Sequence, residues 1–218
     1  MKLDATAKSH LPLIGIVVSV CLFFVAATYY PGGTTDSATS VGYHWARNFI
    51  SSLFAPNALN GAANPARVAA IPAMLMLCVS IGALFKSISN KATSGIHKKA
   101  ITIGGIGSMV YAFLVVTPMH NLMVDIALPF GLVALLATLH LVYVARHPLL
   151  FFVGSVCVVL LLLSAVMYYA NVLFDLLPVM QKASLLACVG WLVAVHYTSF
   201  DQEGRERIAP NKTIEPTR

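Results

Sequence analysis

The chain has 218 residues, of which 58% are hydrophobic and only 10% are charged, and its formal net charge at pH 7 is +6. Soluble domains carry roughly 25% charged residues, so this composition excludes a protein whose whole surface faces water. The mean hydropathy of +0.81 and the grouping of apolar residues in long blocks indicate a membrane protein. The positive charge is not arranged as a basic, aromatic-rich stripe, which argues against nucleic acid as a partner.

Six apolar blocks are long enough, or nearly long enough, to cross a bilayer. A spanning helix needs about 20 apolar residues, because it rises ~1.5 Å per residue through ~30 Å of hydrocarbon. The first block is longer than the apolar core of a signal peptide, so we expect it to be retained as a span. The blocks are residues 11–29, 68–85, 101–118, 122–144, 149–169 and 183–200.

These blocks predict an all-α, polytopic transmembrane bundle over residues 1–200 and a disordered cytoplasmic tail over residues 201–218. With the N-terminus inside, the outer segments hold only Arg47, Arg67 and Lys182. The positive-inside rule then places both termini in the cytoplasm, which requires an even number of spans and agrees with six. The inner segments hold the other basic residues: Lys2, Lys8, Lys86, Lys91, Lys98, Lys99, Arg146, Arg205, Arg207, Lys212 and Arg218.

Small residues in the third block predict a close helix contact. Gly104 and Ser108 are four residues apart, so they lie on one helix face and let a neighbouring backbone approach. The same pattern is compatible with packing inside the chain or with a seam between two copies. In the fourth block, Pro129 leaves the carbonyl of Asp125 without its helical hydrogen bond, which predicts a locally polar position in a span.

The long outer connection contains a segment, residues 41–54, with an amphipathic pattern. Trp45, Phe49 and Leu53 recur at every fourth residue, and the polar side chains lie largely off that stripe. This spacing predicts a helix that rests in the headgroup region of the membrane.

Polar residues from this segment and from two later turns are expected to meet on the outer side. Asp125 is the only acidic residue well inside a block, and ionisable groups within spans are functional candidates because burying them is expensive. One interpretation is an ion pair of Asp125 with Arg47 or His120 that locks the loop onto the bundle. The other is a binding site for a lipid headgroup or small polar ligand. The candidate residues are His44, Arg47, Asn48, Ser51, His120, Asn121, Asp125 and Asp175.

The residues from Tyr43 to Leu53 resemble the "N-x-I-S-x-L" outer-loop segment of a bacterial family called domain of unknown function 998. That family is in turn similar in layout to the eukaryotic DRAM-like six-span proteins. The turn from Thr117 to His120 resembles the family's turn after span three, although the acidic residue often found there is missing. The resemblance implies a six-span bundle in the bacterial inner membrane and carries no established activity.

Histidines suggest an alternative on the inner side. His140 and His196 lie at similar depths in the fourth and sixth blocks, and two imidazoles at one level can ligate a haem between helices. A metal held by His120, Asp125 and Asp175 for headgroup hydrolysis is a further possibility.

No HExxH, GxSxG or phosphate-binding glycine loop is present. The sequence therefore favours a non-enzymatic protein without a cofactor, which binds membrane lipid, a partner membrane protein or a second copy of itself. A small transporter is the other alternative, although its polar groups would be expected near the midplane.

Overall fold

The computed structural model describes residues 5–200, with side chains from His10 onward; the tail predicted over residues 201–218 lies outside this range. Residues 5–200 contain no β-strand, so the all-α class is confirmed. Two short 3-10 helices, Ile50–Leu53 and Phe174–Leu176, lie in the connections. The α-helices are α1 (Ala5–Thr28), α2 (Arg67–Ser89), α3 (Gly95–Leu114), α4 (His120–Val144), α5 (Pro148–Ala170) and α6 (Leu177–Tyr197).

Five helical segments of the described chain are long and apolar enough to cross a membrane, as in a multi-pass membrane protein. The exception is α3, whose first turns contain His97, Lys98 and Lys99, followed by three glycines that add little hydropathy. A sixth span at α3 therefore stays a prediction. The five segments are His10–Thr28, Arg67–Ser89, His120–Val144, Pro148–Ala170 and Phe174–Tyr197.

Two helices begin six residues before the apolar blocks that predict them. The helix α3 begins at Gly95 and not at residue 101, and α6 begins at Leu177 and not at residue 183. Lysines at a helix end keep their charge in water while their stems cover apolar surface, so they do not end the helix. Pro178 occupies the first turn of α6, where its missing N–H is not needed.

The helices α2 to α6 form a ring in which each packs on the next and α6 closes on α2, while α1 lies outside against α2. Helices that follow one another in the chain run in opposite directions, so α2 and α6, which close the ring, run in the same direction. We call the end that carries residues 30–66 the loop face, and the opposite end the lysine face. At the lysine face the Nζ of Lys91 donates to the carbonyls of Val195, His196 and Thr198 at 2.6–2.9 Å. This contact caps the C-terminus of α6 and joins it to the end of α2.

The close contact expected at Gly104 and Ser108 is confirmed as packing within the chain. A Cβ on Gly104 would lie 2.8 Å from the backbone oxygen of Phe130 in α4. Ser108 of α3 faces Gly131 of α4. Small residues therefore let α3 and α4 pack backbone to backbone.

Residues 30–66 fold into a compact cap on the loop face. The prediction of an amphipathic helix over residues 41–54 is wrong. Only Ile50–Leu53 is helical there, and Phe49 is extended. The physical reason is Asn48, which is fully buried: its amide nitrogen donates to the Gly33 carbonyl at 2.8 Å, and its amide oxygen accepts from the His44 N–H at 2.9 Å. These bonds fix a turn at residues 44–48 that a continuous helix would not allow.

Aromatic rings fix the cap to the bundle in place of the predicted apolar stripe. Trp45 packs on Phe24 of α1 with ring centroids 4.9 Å apart, and Phe49 packs on Phe174 at 5.7 Å. A second buried amide, Asn64, donates to three carbonyls of residues 52–55. The cap is therefore held by its own hydrogen bonds as well as by the bundle.

Candidate functional site

A cavity of about 350 Å³ lies inside the ring of helices and extends from the loop face towards the lysine face. Side chains from all six helices and from the cap line it. Along α4 the lining runs from His120 to Leu135, which corresponds to about 22 Å at ~1.5 Å per residue. The cavity is thus long and narrow, and its volume falls within the ~300–1,000 Å³ of typical ligand pockets.

The lining is apolar along most of this length. Leu77, Ile81 and Phe85 follow one another down α2, and Leu185, Val189 and Leu192 down α6. The serines at mid-depth use their hydroxyls within their own helices: Ser108 donates to Gly105 at 2.9 Å and Ser184 to Gln181 at 3.1 Å. These polar groups are satisfied by backbone carbonyls, so the middle of the cavity offers few hydrogen bonds to a ligand.

Three polar side chains line the loop-face end of the cavity, which we call the mouth. They are Ser51 of the cap, His120 at the start of α4 and Gln181 in the first turn of α6. The Gln181 amide oxygen accepts from the Ile50 N–H at 3.2 Å, and Nδ1 of His120 lies 3.1 Å from the Asn121 amide oxygen.

The mouth retains hydrogen-bonding capacity that no side chain of residues 10–200 uses. The Ser51 hydroxyl, the Nε2 of His120 and the Gln181 amide nitrogen have no hydrogen-bond partner among these residues. The Ser51 hydroxyl and the Gln181 amide nitrogen can donate a hydrogen bond to an oxygen-rich group, whereas Nε2 of a neutral His120, whose Nδ1 donates to the Asn121 amide oxygen, can accept one. The cavity therefore combines an apolar interior with one polar end.

The single outer cluster expected from the sequence is not formed. Of the eight candidate residues, the structure brings Ser51 and His120 to the cavity, with Asn121 bonded to His120 at its rim. Asn48 lies in the core of the cap, where its amide is fully used by the loop. His44 and Asp175 are exposed, and the described residues give their side chains no hydrogen-bond partner.

The two charged candidates in the middle of the predicted cluster have other partners. Arg47 forms an exposed salt bridge of 3.0 Å with Asp36 inside the cap. Asp125 accepts a hydrogen bond of 2.6 Å from the Tyr169 hydroxyl on the outside of the bundle. The expected pairing of Asp125 with Arg47 or His120 is therefore wrong. At about 100° per residue, His120 and Asp125 lie roughly 140° apart around α4, so they point to different sides.

The two histidines considered as haem ligands are not presented to each other. His140 stacks on His97 of α3, with centroids 4.6 Å apart and planes 13° from parallel, whereas His196 packs on Tyr197. Their helices have different main neighbours, since α4 packs on α3 and α5 while α6 packs on α5 and α2. Among residues 10–200, no group of three or more His, Cys, Asp or Glu side chains is placed to hold a metal ion.

The apolar blocks of the sequence do not point to Gln181, because it precedes the sixth block, which begins at residue 183. A signal was available in Pro178, since proline is favoured in the first turn of a helix. Starting α6 one residue before that proline places Gln181 one turn into the helix.

No protein-family model, no curated protein and no solved structure matches the chain. What can be said of its function therefore rests on the geometry of the cavity and of its mouth.

Proposed function

We propose that this chain is a non-enzymatic integral membrane protein that binds one amphipathic molecule in its central cavity. The polar end of the molecule lies at the mouth, against Ser51, His120 and Gln181. A single acyl or isoprenoid chain extends from there towards the lysine face. This refines the expectation of a lipid-binding site on the loop side, because it moves the site from the surface of the cap into the bundle.

The observation that carries the proposal is the uneven distribution of unused hydrogen-bonding groups along the cavity. The mouth has three such groups, whereas Ser108 and Ser184 deeper in the cavity are bonded to their own helices. A polar molecule would have to give up its hydration in the apolar middle without compensation. An amphipathic molecule matches both parts, since its chain buries apolar area and its head accepts hydrogen bonds at the mouth.

We further infer six spans with both termini in the cytoplasm, in the bacterial inner membrane. Lys91, Lys98, Lys99 and Arg146 all belong to the lysine face, which the positive-inside rule assigns to the cytoplasm. The mouth of the cavity then faces the outer leaflet. A crossing α3 is consistent with its packing along α4, since the neighbouring helix covers its glycines.

The proposed binding in the cavity is tested by measuring how the purified full-length chain binds oleate, with native mass spectrometry in detergent. Replacing Ala127 with Phe places a ring in the cavity, and we expect it to abolish stoichiometric binding. The matched control is Leu136→Phe, which adds the same ring to the exposed side of the same helix. Ala112→Phe fills the cavity from α3 and guards against an effect peculiar to one position.

The mouth is tested separately by Ser51→Ala, which removes a hydrogen-bond donor from the cavity. Loss of one hydrogen bond to a charged head corresponds to about a tenfold weaker affinity for oleate. The control is Ser52→Ala on the next residue, which does not line the cavity. Equal binding by the wild type, both cavity-filled variants and both controls would overturn the proposal.

A further inference from the structure

A groove runs along the outside of the bundle between α3 and α4, separate from the central cavity. It has a volume of about 510 Å³ and apolar walls formed by Ile103, Phe130 and Val133. Gly104 lies in this groove, and its lack of a side chain lets Phe130 of α4 come close. Ile103 and Val133 are 60% and 51% exposed. An exposed apolar groove of this kind on a membrane helix pair is shaped to hold a hydrocarbon chain.

The lysine-face end of this α3–α4 groove is charged. Lys99 lies among its lining residues, and Lys98 precedes it on the exposed start of α3. Neither ammonium group has an acidic partner in the described part of the chain, where the acidic residues are Asp36, Asp125 and Asp175. All three of those carboxylates belong to the loop-face half of the molecule. Within residues 5–200, no carboxylate therefore lies at the lysine face beside this positive charge.

We propose that the α3–α4 groove binds one anionic phospholipid of the leaflet at the lysine face. An acyl chain lies against Ile103, Phe130 and Val133, and the phosphate contacts Lys99. Anionic headgroups are preferred over zwitterionic ones because each nearby lysine adds a favourable charge interaction, and no carboxylate of residues 5–200 lies at that face. The site does not depend on the central cavity, since it lies on the opposite side of the α3–α4 contact.

The direct test is native mass spectrometry of the full-length chain in detergent with phosphatidylglycerol or phosphatidylcholine of the same acyl composition. We expect the wild type to bind phosphatidylglycerol more tightly. Replacing Lys99 with Gln should weaken phosphatidylglycerol binding about fivefold and phosphatidylcholine binding less, because the choline cation offsets the charge of the phosphate. Lys99→Arg should retain the preference, because it keeps the charge. The matched control is Lys86→Gln, which removes an exposed lysine of the same face that does not line the groove.

A second variant, Ala100→Phe, fills the groove without changing its charge. It should weaken the binding of both lipids at this site, whereas oleate binding in the central cavity should persist. Equal affinities of the wild type for the two lipids, or the same loss in Lys86→Gln as in Lys99→Gln, would overturn the proposal. A dimer that Ala100→Phe dissociates, with lipid binding unchanged, would also overturn it and identify the groove as a seam between two copies.

Discussion

The Nζ atom of Lys182 donates to the backbone oxygen of Asn48 at 2.6 Å, and this contact joins the cap to α6. The preceding residue, Gln181, accepts from the Ile50 N–H. Two successive residues of one helix thus hold the cap over the cavity. Because Gln181 also lines the mouth, the position of the cap and the hydrogen-bonding groups offered to a ligand depend on the same turn of α6.

We predict that Asn48→Ala destabilises the protein by roughly 2–4 kcal/mol, since it leaves one buried and one part-buried backbone group without partners. These groups are the Gly33 carbonyl and the His44 N–H. Thermal or denaturant unfolding in detergent measures the effect. Asn57→Ala, on an exposed residue of the same cap, should change stability by less than about 0.5 kcal/mol. Equal losses in the two variants would contradict the role given to Asn48.

The cap should loosen at alkaline pH. Burial, followed by the charge of nearby Tyr30, raises the pKa of Tyr43 above its ordinary value of 10.0. A group whose pKa is raised on folding contributes stability that is complete below pH 10 and is lost as pH rises through the folded value. Trp45 lies 4.9 Å from the Tyr43 ring, so its fluorescence reports the transition.

Tyr43→Phe should weaken this alkaline transition, because phenylalanine does not ionise. The remaining exposed tyrosines ionise equally in both proteins and provide the internal reference. An alkaline transition of the same size in the variant would show that Tyr43 does not cause it.

Alanine substitutions of two glycines in neighbouring helices should have different effects on the free energy of unfolding. A Cβ on Gly154 of α5 would collide with the ring of Trp191, whose Nε1 donates to the Leu150 carbonyl. We expect Gly154→Ala to destabilise by about 1–3 kcal/mol. Gly190 of α6 has open space, so Gly190→Ala should be neutral or stabilising by up to about 1 kcal/mol. Unfolding free energies in the same detergent compare the two, and similar values would contradict this packing.

The proposed orientation predicts which positions are reached from outside the cell. A cysteine at Ala62 in the cap should react with a membrane-impermeant maleimide in intact cells, whereas one at Ser94 between α2 and α3 should react only after lysis. The wild type, whose four cysteines lie within helices, provides the background. Labelling of both positions in intact cells, or of Ser94→Cys alone, would overturn six spans with both termini inside.

The helical class could be predicted from the sequence because the length of an apolar block is a local property. The blocks at residues 68–85, 122–144 and 149–169 fall within α2, α4 and α5. The packing of Gly104 was also predictable, since small residues on one helix face serve contact with a neighbour.

The polar site was not predictable in the same way, because its partners are distant in sequence. Asn48 bonds to Gly33 and Asp125 to Tyr169, and no local pattern specifies either pair. The separation of His120 from Asp125 was predictable, since helical periodicity alone places the two residues on different faces of α4. The cavity itself depends on how five helices close into a ring, which the sequence of any one helix does not encode.

The most direct test of the central claim is the depth at which each end of a bound amphiphile lies. Trp191 is buried about 21 Å below the start of α6, and its neighbour Leu192 lines the cavity. In Trp45→Phe protein, where Trp191 is the remaining tryptophan, a stearate with its nitroxide near the chain end should quench fluorescence more strongly than one labelled near the carboxylate. This difference in quenching should disappear when the Ala127→Phe substitution is added to the same protein. Equal quenching by both probes, or a difference that survives filling of the cavity, would contradict an amphiphile bound with its head at the mouth.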